Sequence, residues 1–329
     1  MRMALSKWSA VLAVLSGITT LVAGPAAWAQ SDFPSKTIRV IVPFAPGGAT
    51  DIVGRMLAER VSRQVGQTVV VENRAGANGN IGADLVAHSA PDGYTLLHNT
   101  SSIMFTAAFG AKVNYDLASE LVPVSLLVTQ PLIFNAYPGI GVNNIPELVA
   151  WAKANPGKLS YGSSGIGNVS HLVTYVLLQA AGIEGSHIPY KGGAAAFPDL
   201  IAGQIQILND PINSSLPFIR DKRAKAIGST GRTRSTLLPD VQTMNETVAP
   251  GFEAGAWQGA MVQGKTPPAI VARLNAEWVK ALKDPSVQEK LAAQGAEVLA
   301  TSPEQYLAYL RNEIDRWTKI IKASGARLE

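Results

Sequence analysis

Thr37-Ile38-Arg39-Val40-Ile41-Val42-Pro43-Phe44-Ala45-Pro46-Gly47-Gly48-Ala49-Thr50-Asp51 is the stretch that decides the fold. Its first six residues are rich in β-branched side chains, stop at Pro43 and open into a glycine loop, which reads as a strand and its exit. From Thr50 the period changes: Ile52, Val53, Met56, Leu57, Val61 and Val65 recur at three- and four-residue spacing and predict an amphipathic helix ending at Gly66. The chain therefore opens strand, glycine loop, helix.

Working outward, residues 68–72 read as a second strand, 81–87 as a helix, Pro91-Asp92-Gly93 as a turn and 94–98 as a third strand. Such alternation builds a parallel sheet with helices on both faces, an α/β fold. The grammar restarts with a helix from Pro146 to Gly157, a short strand at 159–161, the loop Gly162-Ser163-Ser164-Gly165-Ile166-Gly167-Asn168 and a helix through Leu172, Tyr175, Val176 and Gln179. Strands follow at 187–190, 205–208 and 224–228, with helices at 194–202 and 214–220 between them. A strand at 256–262 leads into three helical stretches, and the last opens with Ser302, Pro303 and Gln305 in a capping-box arrangement.

No linker or fixed-period repeat divides the chain, so two cores must be joined by ordinary segments, with crossings near 128–134 and 249–256. Residues 30–129 with 253–329 then form one lobe and 130–252 the other. The first 29 residues have the three parts of a secretory signal: Arg2 and Lys7, an apolar run from Trp8, and a small-residue site at Ala27-Trp28-Ala29. Export with cleavage after Ala29 is expected. Removing residues 1–29, with Arg2 and Lys7, leaves 300 of 329 residues and takes the formal charge from +4 to +2. A nearly neutral mature chain has no electrostatic footprint for nucleic acid. The absence of cysteine removes disulfides, thiolate metal sites and a lipid-attachment point.

Two loops carry the functional reading. At Pro43–Asp51 a glycine pair at a helix mouth lets backbone N–H groups point outward together, and the helix end favours an anion without any cationic side chain. The same glycines also serve a plain strand-to-helix turn, and Thr50 or Asp51 can cap the helix. In the second loop, Ser163, Ser164, Asn168 and the exposed amides can hold another anionic or hydroxyl group. Gly165-x-Gly167-x-x-Ser170 lacks the third glycine of a dinucleotide fingerprint. His171, Lys191 and Asp210 each have a structural reading beside a cleft reading. The four histidines show no metal-ligand spacing, and there is no Gly-x-Ser-x-Gly elbow and no Walker loop. A serine at 163 or 164 activated by His171 is the one hydrolytic arrangement the residues allow.

Phe33-Pro34-Ser35-Lys36-Thr37-Ile38-Arg39, the loop from Val42 to Asp51, Val71-Glu72-Asn73-Arg74, Asn80-Ile81-Gly82, Ala90-Pro91-Asp92-Gly93-Tyr94, Tyr161-Gly162-Ser163, Pro189-Tyr190-Lys191-Gly192 and Leu238-Pro239-Asp240-Val241 occur in order. Together they closely resemble the substrate-binding proteins of tripartite tricarboxylate transporters, the Bug-type periplasmic receptors. The resemblance covers essentially all of the mature chain. It implies a two-lobed periplasmic binding protein fold of type II-like architecture, each lobe a mostly parallel sheet flanked by helices, closing on its ligand. It also implies a periplasmic, Gram-negative setting, a small carboxylate ligand (a di- or tricarboxylate, an amino acid or an aromatic acid) and an integral-membrane permease as partner.

The family's ligand-gripping loop maps onto Phe44, Ala45, Gly47, Gly48 and Asp51, with Ser101 and Ser102 in the loop after the third strand as a further wall. The second lobe's part maps onto Ser163, Ser164, Gly167, Asn168 and His171, with Tyr190, Lys191 and Asp210 on the far side. Asn168 stands where many members have Ser or Thr, and Asn209 stands beside Asp210 where phenylalanine is common, which bears on the distal pocket. The expectation is a monomeric binding protein with no cofactor, no metal and no catalysis. Two other readings remain: a receptor handing its bound form to a signalling partner, and a nucleotide-using α/β enzyme.

Overall fold

The computed structural model describes residues 33–324. The expected signal peptide and the mature start near Gln30 lie outside them. The deciding stretch forms strand β1 (Ile38–Val42) and helix α1 (Ala49–Val65). Val53, Leu57 and Val61 bury one face of α1, and Gly66 ends it in the left-handed conformation at φ 67°, which glycine adopts at no steric cost. The chain continues through β2 (Val69–Asn73), α2 (Asn80–Ala87), β3 (Thr95–Thr100), α3 (Ser101–Ala108), β4 (Leu121–Ala136), α4 (Ile145–Ala154), β5 (Ser160–Ser163) and α5 (Val169–Ala181). Then come β6 (Ser186–Pro189), α6 (Phe197–Ile201), β7 (Ile207–Pro211), α7 (Ile212–Arg220), β8 (Lys225–Ser229), β9 (Gly255–Gln263), α8 (Pro268–Leu282), α9 (Pro285–Ala292), β10 (Glu297–Val298) and α10 (Pro303–Ser324).

The strands join in the order β2-β1-β3-β9-β4-β7-β5-β6, with β8 and β10 also on β4. The expected parallel pairing holds in two groups, β2-β1-β3 and β7-β5-β6. Strands β4 and β9 run antiparallel to each other and to their neighbours β7 and β3, so the sheet as a whole is mixed. Strand β4 is its spine: residues 121–131 pair with β9, and from Leu132 onward the partners are β7 and β8. The chain returns beside this switch, where Ala254 donates its N–H to Thr230 and Gly255 pairs with Pro131.

Helix α10 packs on α3 and β4, and Trp317 meets Phe105 edge to face with centroids 4.8 Å apart. Its start is the expected capping box: Ser302 Oγ accepts from Gln305 N (3.2 Å), and Gln305 Oε1 accepts from Ser302 N (2.9 Å). Among the described residues, no helix is long and apolar enough to cross a membrane.

Candidate functional site

Successive strands of the two parallel groups deliver their carboxyl ends to one cavity of about 550 Å³, part of it open to solvent. This is where open α/β sheets place ligands. Phe44, Ala45, Gly48, Ala49 and Thr50 line it from the β1–α1 junction, and Thr100, Ser101 and Ser102 from the β3–α3 junction. Ser164, Asn168 and Val169 face it from β5–α5, Gly192 to Ala194 from the segment after β6, Asp210 and Pro211 from β7–α7, and Ala256 from β9.

Helices α1, α3, α5 and α7 thus all begin at the wall of one cavity, and among the described residues no Lys, Arg or His lines it. Helix starts carry unsatisfied N–H groups and partial positive charge, so their convergence favours an anion without a cation. The four ends are not equivalent. Thr100 caps α3 by accepting from Ser102 N, and Asn168 caps α5 by accepting from Ser170 N (3.1 Å). At α7 the Asp210 carboxylate sits one residue before the Pro211 cap and accepts from Ser214 Oγ. Helix α1 follows Gly48 with no side-chain cap, so the capping by Thr50 or Asp51 that the sequence allowed does not occur. Gly48, Ala49 and Thr50 at this uncapped start line the cavity.

Asp51 instead braces the loop from behind. Its Oδ2 accepts from Gly47 N (3.0 Å) and Arg55 Nε (3.0 Å), and its Oδ1 from Asn73 Nδ2 (2.8 Å). Burial pushes its pKa up, but these donors more than offset it and hold it below the usual carboxylate value. Asn73 Nδ2 also donates to Phe44 O (3.0 Å), which ties the loop to the end of β2. Neither Gly47 nor Asp51 lines the cavity.

In the second group of strands, Ser164 and Asn168 face the cavity and Ser163, Gly167 and His171 do not. Asn168 Nδ2 donates across to Ser102 Oγ (2.8 Å) and to Asn78 Oδ1 (3.2 Å). Ser163 Oγ lies 2.6 Å from His187 Nε2, so the serine's imidazole partner is His187 and not His171. His171 Nδ1 accepts from Gly167 N (3.1 Å), and its ring stacks on that of His187 with centroids 3.9 Å apart, Tyr161 stacking beyond. Burial, with a smaller effect of His187, lowers the pKa of His171 to about 3, and burial lowers that of His187 to about 4. These neutral rings support the loop from outside the cavity.

Tyr190 and Lys191 line a second, wider cavity that shares Phe44 and Ser164 with the first, together with the 75–80 loop, Lys112 and Gly167. Tyr190 Oη is engaged as a donor to Asp199 Oδ2 (2.6 Å). Asn209, expected to bear on the distal pocket, does not line the cavity; neighbours on a strand point to opposite faces, and Asp210 takes the cavity face. Ser101 and Ser102 form the first turn of α3, not a loop, and Ser101 Oγ is buried without a hydrogen-bond partner.

Asp210 is 2% exposed. Its Oδ1 accepts from Ser164 Oγ (3.1 Å), and burial, opposed by the two serine hydrogen bonds, pushes its pKa up to about 6. Gly192 to Ala194 line the cavity although Lys191, the charged residue beside them, is the more conspicuous in the sequence. The signal was the glycine pair: a Cβ on Gly193 would overlap the Asp210 carboxylate. Among the described residues, no three His, Cys, Asp or Glu side chains are grouped to hold a metal.

Residues 53–326 match the family described as the tripartite tricarboxylate transporter family receptor. The chain is 37% identical to Protein BugT of Bordetella pertussis over 322 residues, covering 97% of this chain and 98% of BugT. Among solved structures it is similar to the periplasmic binding protein BugD, at 35% identity and a TM-score of 0.85, covering 90% of this chain and 99% of that one. It is also similar to R. palustris Rpa4515 with adipate, at 32% identity and a TM-score of 0.87, covering 89% and 99%.

Proposed function

The chain belongs to the tripartite tricarboxylate transporter receptor family, and we infer that its cavity captures a small carboxylate for delivery to a permease of that transporter type. It is a solute-binding protein with a two-lobed α/β fold and not an enzyme. The observation that carries the carboxylate reading is the start of α1. It has an uncapped N-terminus on a cavity where three further helices begin and which no cationic side chain lines among the described residues. The adipate held by a similar protein supports the same ligand class.

In this reading the amides of Ala49 and Thr50 grip one carboxylate, with Gly48 and Ala45 letting it approach and Ser101 Oγ completing the wall. Ser164, Asn168 and Asp210 meet the rest of the ligand from the other lobe. Residues 30–129 and 253–329 form the first lobe and 130–252 the second. Closure about the β4 switch and the return at Ala254 desolvates the ligand and strengthens its hydrogen bonds. A ligand that binds only the closed form shifts the population by its differential affinity. The protein works in the periplasm, as a monomer, after removal of residues 1–29.

A thermal-shift panel of carboxylates and nucleotides on the mature protein tests this. A ligand at ~100 times its Kd stabilises the fold by ~2.7 kcal/mol. A carboxylate that does so supports the reading; a nucleotide response with no carboxylate response overturns it. Loss of uptake of that carboxylate on deleting the gene separates transport from sensing.

A further inference from the structure

Asp210 is a buried carboxyl in the cavity wall, with no cationic side chain lining that cavity among the described residues. The elements around it bring Ser164 from the loop after β5, Ser214 from α7 and Gly193 from the segment after β6, and none of these titrates. Lys191 and Lys112 line the outer cavity, beyond Phe44 and Ser164. A carboxylate has about four acceptor sites, and the two serines occupy one on each oxygen. The remaining acceptor capacity of a group in the cavity wall is available to a ligand. The start of α7 has the Asp210 carboxylate beside it in the cavity wall, whereas Asp51, the carboxylate in the first turn of α1, is held behind the loop by Gly47, Arg55 and Asn73 and does not line the cavity. The cavity is therefore polarised from an anion-seeking end to an anion-bearing end.

We propose that the ligand lies with its carboxylate at the start of α1 and a hydrogen-bond donor on Asp210, so that the preferred solutes are carboxylates carrying a hydroxyl or ammonium group. The proposal rests on the carboxylate reading of the cavity and narrows it. A second ionised carboxylate at Asp210 would set two like charges together in a site that excludes water. A plain dicarboxylate reaches the same place by sharing one proton with Asp210, and its binding weakens as that proton is lost. The raised pKa of Asp210, about 6, places that loss near neutrality.

Calorimetric titration of the mature protein with butyrate, 4-hydroxybutyrate, 4-aminobutyrate and succinate, and with their homologues of neighbouring chain length, tests the proposal at about pH 5 and about pH 8. At the higher pH a hydroxy or amino acid should bind at least about tenfold more tightly than the succinate-type or butyrate-type acid of its length, and the dicarboxylate should weaken at least about tenfold from the lower pH to the higher. In Asp210→Asn the advantage over the dicarboxylate and the dicarboxylate's pH dependence should both shrink to within about threefold, because the amide can donate to a second carboxylate. A dicarboxylate that binds at the higher pH as tightly as the hydroxy and amino acids overturns the proposal and leaves the carboxylate reading intact. No binding by any of these acids overturns the proposal, and the thermal-shift panel then decides whether the carboxylate reading falls with it. The wild-type comparison stands even if Asp210→Asn does not fold.

Discussion

Asn168 Nδ2 lies 2.8 Å from Ser102 Oγ, so the cap of α5 is hydrogen-bonded to the first turn of α3 across the cavity. One side chain therefore does two jobs, and two substitutions separate them. Asn168→Ala removes the cap and the bridge and should cost about 1 kcal/mol of stability, the usual worth of such a cap. It should also weaken ligand binding. Ser102→Ala leaves the Asn168 cap in place and should lower affinity with a smaller loss of stability. Urea unfolding and calorimetric titration of both variants check this; equal stability loss with unchanged affinity would leave the bridge without a role in closure.

Two cavity glycines should respond oppositely to added side chains. Gly48 has φ −79°, and a Cβ there meets only Ala45 O, at an ordinary 3.6 Å. Gly48→Val should therefore keep the fold to within about 1 kcal/mol, the scale of a weakened N-cap, while its branches obstruct the start of α1 and cut binding at least about tenfold. Gly193→Ala forces a methyl onto the Asp210 carboxylate and should destabilise by about 1–3 kcal/mol, the range for overpacked sites. Thermal melts with and without ligand distinguish the two.

Much of this was legible in the sequence, for physical reasons that also explain the gaps. The β1–α1 junction was read because the period changes within three residues of a glycine pair. Strand β4 was seen only as a crossing: it is buried along nearly its whole length, so it lacks polar alternation, and Pro123 and Pro131 interrupt it. Register shifts beside Pro123 accommodate the break in pairing. Helix α3 was missed because Ser101 follows β3 directly, with no glycine or proline to punctuate the change. Asp51 is a ligand contact by the family resemblance and a helix cap by its position, and its hydrogen bonds to Asn73 and Arg55 join it to residues that the loop sequence does not reveal. The stack of His171 on His187 joins a helix to a strand 16 positions on, a pairing no local spacing reveals.

Acid should destabilise the ligand-free protein through its histidines. His98 is buried against Gln258 Oε1 (2.7 Å), and burial lowers its pKa to about 4, beside about 3 for His171 and about 4 for His187. All three folded values lie below the ordinary 6.5, so the unfolded chain takes up protons first as pH falls. Their contribution is complete above about pH 6.5 and is lost as pH falls toward 4. His187→Phe keeps a stacking ring and removes one titrating group. Its stability should fall less steeply over that window, by up to about 1.4 kcal/mol per pH unit. Urea midpoints measured across the window check the slope.

Asp210 works in the opposite direction over part of the same window. Its folded pKa, about 6, lies above the ordinary 3.8, so the folded protein keeps a proton that the unfolded chain has already released. This contribution is present below about pH 4 and is lost as pH rises through about 6. It partly offsets the histidine loss on acidification. In Asp210→Asn the offset is gone, so stability should fall more steeply between about pH 6 and 4 than in the wild type. An unchanged slope in that variant would mean that Asp210 titrates at its ordinary value.

Asp51 should prove essential to the loop without touching ligand. Asp51→Asn keeps an acceptor for one donor but loses the charge that holds Arg55 and the second oxygen that serves both Gly47 N–H and Arg55. With Gly47 released, the amides at the start of α1 lose their fixed orientation, and positioning is the larger part of what the backbone supplies to an anion. Affinity should fall about tenfold, and the deficit should be the same for carboxylates with and without a donor group. That uniformity separates a loop brace from a ligand contact, because a contact to one end of the ligand would penalise one class more than the other. Asn73→Ala, which frees the same loop from the side of β2 by removing the bonds to Phe44 O and Asp51 Oδ1, should show the same uniform loss.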